Sequence, residues 1–422
     1  MNASGYSIAP VGPDRMREVL DVDCWAFPNV ETLDDQMRFE HALPWQRAYL
    51  TFSPNGRPAA FHCSHELENF TVPGASLRAA GLSWVGVHPE HRRQGLLTAM
   101  IEAHLTHCEQ RGEAISVLNA SEAAIYGRFG YGKASERLSV TVPRGAKLRP
   151  VSGGEEVVIS IDHADPARHL EAVLAVQGEA AHTAGLVRPG WVELTPSDAI
   201  AEFFQDRPAS RQRHGYETTR IMLAEQDQHP VGYAFFRRKS DWGAAGPCGE
   251  VMVVAIATTT PAAAYALWSR LSDLDLMSQT HANLLAVDDP LLGMLVDQRS
   301  VVPKISDGLW VRIVNLPAAL AARQYAAPVD AVLEVADERL PANTGRWRLR
   351  ADAFADGASV EPTTDEPDLR LDVRELGAIY LGGTPLAGLA AADLVKTRSP
   401  EALARLSTAF GWPLAPAFNW VF

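Results

Sequence analysis

At 422 residues the chain is too long for one ordinary hydrophobic core, and two or three domains are expected. Hydrophobic residues make up 47% and charged ones 21%, the balance of a globular protein. The net charge of −13, from 38 basic and 51 acidic side chains, excludes non-specific nucleic-acid binding, which needs clustered Lys and Arg.

The N-terminal stretch MNASGYSIAPVGPDRMREVL lacks a signal-peptide core, and no run approaches the roughly 20 apolar residues of a membrane helix. Cys24, Cys63, Cys108 and Cys248 are scattered without a CxxC pair, so no disulfide framework and no structural metal is expected. A cytoplasmic protein with no membrane partner is the expectation.

In chain order, apolar periodicity predicts a helix over 14–25, with Met16, Val19, Leu20 and Val22 on one side, and a second over 33–43. Strands over 48–52 and 59–63 flank the turn Pro54-Asn55-Gly56. A strand over 77–87, a helix over 94–111 and a buried strand over 115–119 follow. A short helix over 121–129, capped by Ser121 and Glu122, precedes a closing strand over 138–142. The basic segment PRGAKLRPVSGG (143–154) reads as a linker. Beyond it, helices over 166–177 and 261–272 mix with strands over 217–223, 231–237 and 250–257. A third region carries a strand over 309–313 and helices over 317–325 and 400–410. The expected domains are therefore 1–150, 151–299 and 300–422, all of mixed α/β (α+β) class.

Charge is uneven within the first domain. Residues 1–80 hold 6 basic and 10 acidic side chains, whereas 81–150 hold 9 and 6, so one half suits a cation and the other an anion. In GLSWVGVHPEHRRQGLLTAM (81–100) a strand runs through a polar turn into a helix. The turn from Arg92 to Leu97 offers free backbone N–H groups at the positive end of a helix dipole, a cradle for a pyrophosphate. A side chain at Gly95 would obstruct close approach, and Arg92 and Arg93 add charge.

The V-x-V strand followed by R-x-x-G-x and a helix resembles the acetyl-CoA motif of the GNAT superfamily of N-acetyltransferases; Leu97 departs from the usual small residue. Over its whole length the chain is similar to the Eis (enhanced intracellular survival) family, through that segment, ASEAAIYGRFGYG (120–132), DGLWVRIVNLPAALAARQYA (307–326), RELGAIYLGG (374–383) and a C-terminus at Phe422. The resemblance implies tandem GNAT folds, mixed sheets flanked by helices, of which the second lacks a cofactor site. A sterol-carrier-protein-like domain follows them.

It implies an acetyl-CoA site at Val85, Gly86, Val87, Arg92, Arg93, Gln94, Gly95, Leu96, Leu97, Thr98, Ser121 and Glu122, with the amide of Val87 or a neighbour on the thioester carbonyl. It also implies direct transfer to an amine of a small cationic substrate (aminoglycoside, polyamine or lysine type). Tyr126 would be the general acid and the Phe422 α-carboxylate the general base, with the substrate held by Ser83, Trp84 and the second-domain residue Trp191. A homohexamer and no metal complete the expectation.

Tyr131 is the rival to Tyr126, and its F-G-Y-G setting suits packing better. The acids Glu31, Asp34, Asp35, Glu66 and Glu68 are candidates to attract a polycation. Val421 and the Cys24–Asn29 segment depart from more acidic relatives, which weakens the aminoglycoside expectation. His104, His107 and Cys108 share a helix face without a further ligand at metal-site spacing. A non-catalytic acyl-CoA sensor and a lipid-binding protein acting through the third region remain open on sequence.

Overall fold

The computed structural model describes residues 5–28, 31–183, 185–206 and 215–422, so Asn29 of the segment above lies outside the described residues. No helix among the described residues is long and apolar enough to cross a membrane. The chain divides into two compact units: residues 1–135, 187–192 and 307–422 form one, and 136–186 and 193–306 form the other.

The first unit is built on a seven-stranded sheet. Its strands are β1 (Ser7–Pro10), β2 (Ala48–Phe52), β3 (Pro58–Val72), β4 (Ala75–Val87), β5 (Ile115–Asn119), then Leu309–Ile313, then β6 (Gly132–Lys133), in that spatial order. Helices α1 (Met16–Ala26), α2 (Leu33–Gln36), α3 (Leu96–Arg111) and α4 (Ala123–Tyr126) accompany it. The helix expected over 33–43 is a single turn, because after Gln36 the chain turns back on itself and enters Trp45–Arg47 through Pro44. β3 runs on to Val72, well past the predicted end, so that β3 and β4 form a long hairpin around Gly74.

Two strands near the expected domain borders change sheets. The predicted closing strand over 138–142 (Glu136–Pro143) does not join the first sheet; it pairs with Met277–Leu285 in the second unit. Leu138, Val140 and Val142 point into that unit's core. Leu309–Ile313, read as part of the third region, is antiparallel to β5. Alternating side chains reveal that a strand exists, whereas the choice of sheet depends on which long-range edge completes the core. The segment 143–154 is correspondingly no free linker: Val296 donates to Lys147 and Arg149 to Met294.

A five-stranded sheet in the order 359–362, 345–351, 329–336, 369–372, 396–397 belongs to the first unit too. It is joined through Arg312, fully buried, whose guanidinium makes two bonds of 2.8 and 2.7 Å to Asp337. Burial of an unpaired charge is prohibitive, so this bidentate pair ties strand 309–313 to the region that follows it.

The second unit repeats the seven-stranded plan, with Gly249–Thr258 and Met277–Leu285 as its parallel pair.

Candidate active site

β4 and β5 are parallel neighbours only at Ala79–Ile115, Ala80–Ser116 and Gly81–Val117. Beyond Gly81 the strands part, and β4 continues against β3 alone. A register shift facing Trp84, whose φ is +53°, bends β4 at this place. Gly86 lies under the end of α1: a Cβ there would stand 2.9 Å from that of Ala26. His88 donates to Ala59 (2.9 Å), and strand N–H groups alternate in direction, so the Val87 N–H aims away from β3 into the opening. Val85 and Leu97 pack against the core cluster that includes Leu82, Ile101 and Tyr131.

The turn from Arg92 to Leu97 follows the short 3₁₀ turn over Pro89–His91 and leads into α3. Arg93 (φ +62°) and Gly95 (φ +78°) are both left-handed, which curls successive N–H groups inward as an anion nest. Gly95 is the N-cap of α3 and carries no side-chain cap, so the amides of the first turn stay available. Arg92, Arg93, Gln94 and Gly95 are exposed, Leu96 is buried, and Leu97 and Thr98 are half-buried. A strongly polar anion fits here.

Tyr126 ends α4, half-buried, its ring edge-on to Tyr131 at 5.9 Å. Burial, with Glu122 nearby, pushes its hydroxyl up to about 12, so it is protonated at neutral pH. Tyr131 is buried, and its hydroxyl is bonded to Ser116 Oγ (2.8 Å), which also bonds His104 (2.8 Å). That is the packing role expected for Tyr131. The helix is not capped as predicted: Glu122 is the N-cap without a side-chain bond, and Ser121 and Glu122 are exposed. Ser121 stands one residue too early to reach the first free amides.

The C-terminal tail reaches the same place along a strap. Thr71, near the end of β3, holds residues 188–191 through Oγ1 to Arg188 O (2.7 Å) and the Trp191 amide to Oγ1 (2.8 Å). The strap holds the tail in turn. Trp412 Nε1 donates to Val187 O (2.9 Å), Arg188 to Ala415 O (2.7 Å), and Asn419 bonds both main-chain groups of Val192 (2.9 and 2.8 Å). So fixed, Trp420 packs edge-on to His65 at 4.7 Å, with the Phe422 ring 5.4 Å from Trp420 and 5.9 Å from His65. Phe422 Cε2 lies 3.0 Å from where a Cβ would stand on Gly81, the last residue at which β4 and β5 pair. Trp191, expected from the second domain, thus belongs to the first unit through this strap. Ser83 is buried, and Trp84 stands edge-on to His41 and Phe61.

Residues 7–134 and 198–313 match family models described as acetyltransferase (GNAT) domains, and residues 316–419 match a sterol carrier protein domain. N-acetyltransferase Eis of Mycobacterium tuberculosis is 35% identical over 365 residues, 83% of each chain. The chain belongs to the Eis family of GNAT N-acetyltransferases. An uncharacterized N-acetyltransferase of Streptomyces avermitilis is 42% identical over 352 residues, 82% of each chain. The crystal structure of Eis1 from Mycobacterium abscessus superposes with a TM-score of 0.79 at 28% identity, covering 99% of this chain and 100% of that one.

GNAT acetyltransferases use acetyl-CoA as co-substrate, and the Eis-family turn at 92–98 meets its demands with a nest of amides, two exposed arginines and an opening between strands. The second GNAT unit differs at the matching point. Its helix Pro261–Leu271 starts with a proline, which has no N–H, and Thr260 Oγ1 accepts from the Ala263 amide (3.1 Å). Two of the amides a phosphate would use are therefore gone.

Sequence reasoning passed over Asn119. Its side-chain nitrogen is buried without a hydrogen-bond partner at the last position of β5, where β4 has left. The signal was a polar residue ending an otherwise apolar strand. His65, two residues beyond the strand end expected at 63, is mid-strand opposite Gly81 and buried; desolvation and nearby Arg47 lower its ring to about 4.

The acids proposed to attract a polycation are already engaged. Asp34 pairs with Arg17, Asp35 with Arg38, Glu66 with Arg47 and Arg78, and Glu68 with Arg78. Glu31 is buried. In the sterol-carrier-like part, an open groove of about 590 Å³ is lined by the charged Glu334, Arg346 and Arg370 beside the apolar Val335, Ala336 and Leu371.

Proposed function

We propose that the first GNAT unit moves acetyl from acetyl-CoA directly to an amine of a small cationic substrate. Arg92 to Thr98 hold the pyrophosphate, Val85, Gly86 and Val87 line the pantetheine arm, and Ser121 and Glu122 border it. The Val87 amide polarises the thioester carbonyl. Phe422 supplies the base: its α-carboxylate, with a reference pKa of about 3.3–3.7, is ionised at neutral pH and takes one proton from the incoming ammonium. The free amine attacks the carbonyl carbon, the C–S bond breaks, Tyr126 gives its hydroxyl proton to the departing thiolate, and the second proton lost by the acylated nitrogen restores the Tyr126 hydroxyl. Trp84, Ser83 and Trp191 line the amine side. The second GNAT unit binds no cofactor in this reading. A homohexameric assembly and a cytoplasmic location are taken over from the family likeness.

One observation carries the proposal: the last side chain of the tail rests on Gly81, where β4 and β5 separate. The strap and Asn419 hold it there, although chain ends otherwise fray. The test is thiol release from acetyl-CoA with polyamines, aminoglycosides and lysine peptides, on the chain ending at Phe422 and on a form extended by two glycines. Amine-dependent release that disappears on extension is expected. Full activity of the extended form would remove Phe422 as the base, and no release with any amine would remove the substrate class.

A further inference from the structure

Just before the phosphate turn, His88-Pro-Glu-His91 makes one 3₁₀ turn over Pro89–His91, with His88 as its N-cap. Three residues per turn make positions i and i+3 eclipse, so His88 and His91 project from the same side, their ring centroids 5.8 Å apart. One ligand atom from each of His88, Glu90 and His91 lies within 4.8 Å of the other two. Donors bound to a first-row dication at about 2.0–2.2 Å stand roughly 3–3.5 Å apart, so small side-chain rotations close the set.

The two rings are held rather than free. Tyr6 Oη is hydrogen-bonded to His91 Nδ1 at 3.0 Å, and the Tyr6 ring stands edge-on to the imidazole at 5.7 Å and 82°. That bond fixes the ring and leaves Nε2 for a ligand, the arrangement by which outer partners orient metal-binding histidines. His88 packs against Trp25 at 5.2 Å. Its Nδ1 lone pair accepts only a long 3.3 Å bond from the Glu90 amide, a contact that a metal would replace at little cost. Both histidines are half-buried and Glu90 is exposed, so an ion can reach the set from solvent.

We propose that His88, Glu90 and His91 form a site for a divalent transition metal, with two imidazoles and one carboxylate on one face and the remaining positions open to water. Imidazole with carboxylate suits zinc, cobalt or nickel better than magnesium or calcium, which prefer oxygen alone. The scattered cysteines and the incomplete His104–His107–Cys108 face gave no reason to expect a metal; here the 3₁₀ turn is what brings the rings together. The site stands independently of the acetyl-transfer proposal.

The test is titration of the metal-stripped full chain with Co²⁺, followed by visible absorption, and with Zn²⁺ by calorimetry. One saturable equivalent is expected. His88→Ala and His91→Ala should each weaken it at least tenfold, and Tyr6→Phe about tenfold by releasing the His91 ring. Glu90→Gln, at an exposed position, serves as the variant least able to disturb folding, and melting curves check all four. Absence of saturable binding, or binding unchanged in the His88→Ala/His91→Ala double variant, would overturn the site. Loss of binding in His107→Ala with the double variant unaffected would do so as well.

Discussion

The placement of the tail makes Gly81→Ala a sharp test of the proposed base. A methyl at 81 would stand 3.0 Å from Phe422 Cε2, 3.2 Å from Leu67 Cδ1 and 3.3 Å from His65 Cβ. Carbon pairs are comfortable at about 3.5–4.0 Å, so all three contacts are too close. Leu67 and His65 belong to β3, inside the sheet, and Gly81 itself is paired to both His65 and Val117. The chain end is the part with freedom to yield, and Phe422 must withdraw by about half an ångström or more. Overpacking of this kind costs about 1–3 kcal/mol, and misplacing a reacting group by about 1 Å costs about 10²-fold in rate. We expect kcat to fall about tenfold or more, with acetyl-CoA affinity within about twofold because the turn at 92–98 is untouched. The assays are steady-state thiol release, calorimetry with acetyl-CoA, and thermal melting. A double-mutant cycle with Phe422→Ala should show a coupling of about 0.5–3 kcal/mol in stability, since removing the ring removes the clash. Unchanged kcat in Gly81→Ala, or zero coupling, would refute the reasoning that the tail's position governs the chemistry.

Tyr126→Phe should lower kcat by about 10²- to 10⁴-fold while sparing acetyl-CoA affinity, measured by the same assays. Because burial and Glu122 push Tyr126 up to about 12, the acid stays protonated, and kcat should hold from pH 8 to about 10. A descending limb in that range, present in the parent and absent from the variant, would contradict the assignment. Acid stability tests His65. Burial lowers His62 to about 3 and His65 to about 4, against 6.5 for the unfolded rings. Between those values only the unfolded chain takes up the protons, so the contribution is complete above pH 6.5 and declines as the pH falls toward 4 and then 3. Each ring adds about 1.4 kcal/mol per pH unit to the slope, and His65→Phe should remove that share from urea titrations at pH 6 to 4.5. An unchanged slope would mean that His65 is already charged in the folded protein.

Much of the site was legible because its groups lie close together in sequence. Gly81 to Met100 encodes a strand, a turn and a helix within twenty residues, and local rules suffice: apolar alternation, arginines, and a glycine where φ must be positive. Tyr126 follows in the next β–α element and was legible through the family likeness. The capping role given to Ser121 failed because a one-residue difference in the helix start, invisible to propensity, moved the N-cap to Glu122. Asn119 was missed since its importance lies in an unpartnered nitrogen, a property of its surroundings. His88 and His91 come together through a 3₁₀ turn between strand and helix, which neither strand nor helix periodicity registers.

By itself the sequence determined the mixed α/β class and the strand–turn–helix over 81–100 through short-range patterns of apolarity, charge and glycine, whereas the tandem plan was legible only through the likeness to the Eis family. Only the tertiary structure decided that strand 136–143 leaves for the second sheet, that strand 309–313 comes to the first, and that Trp191 sits on a strap within the first unit. It alone brought Phe422 to Gly81, 341 positions away in sequence, through hydrogen bonds from Thr71, Arg188 and Asn419. Such pairings turn on which distant edge offers unsatisfied backbone and apolar surface, and a local pattern contains no record of that choice.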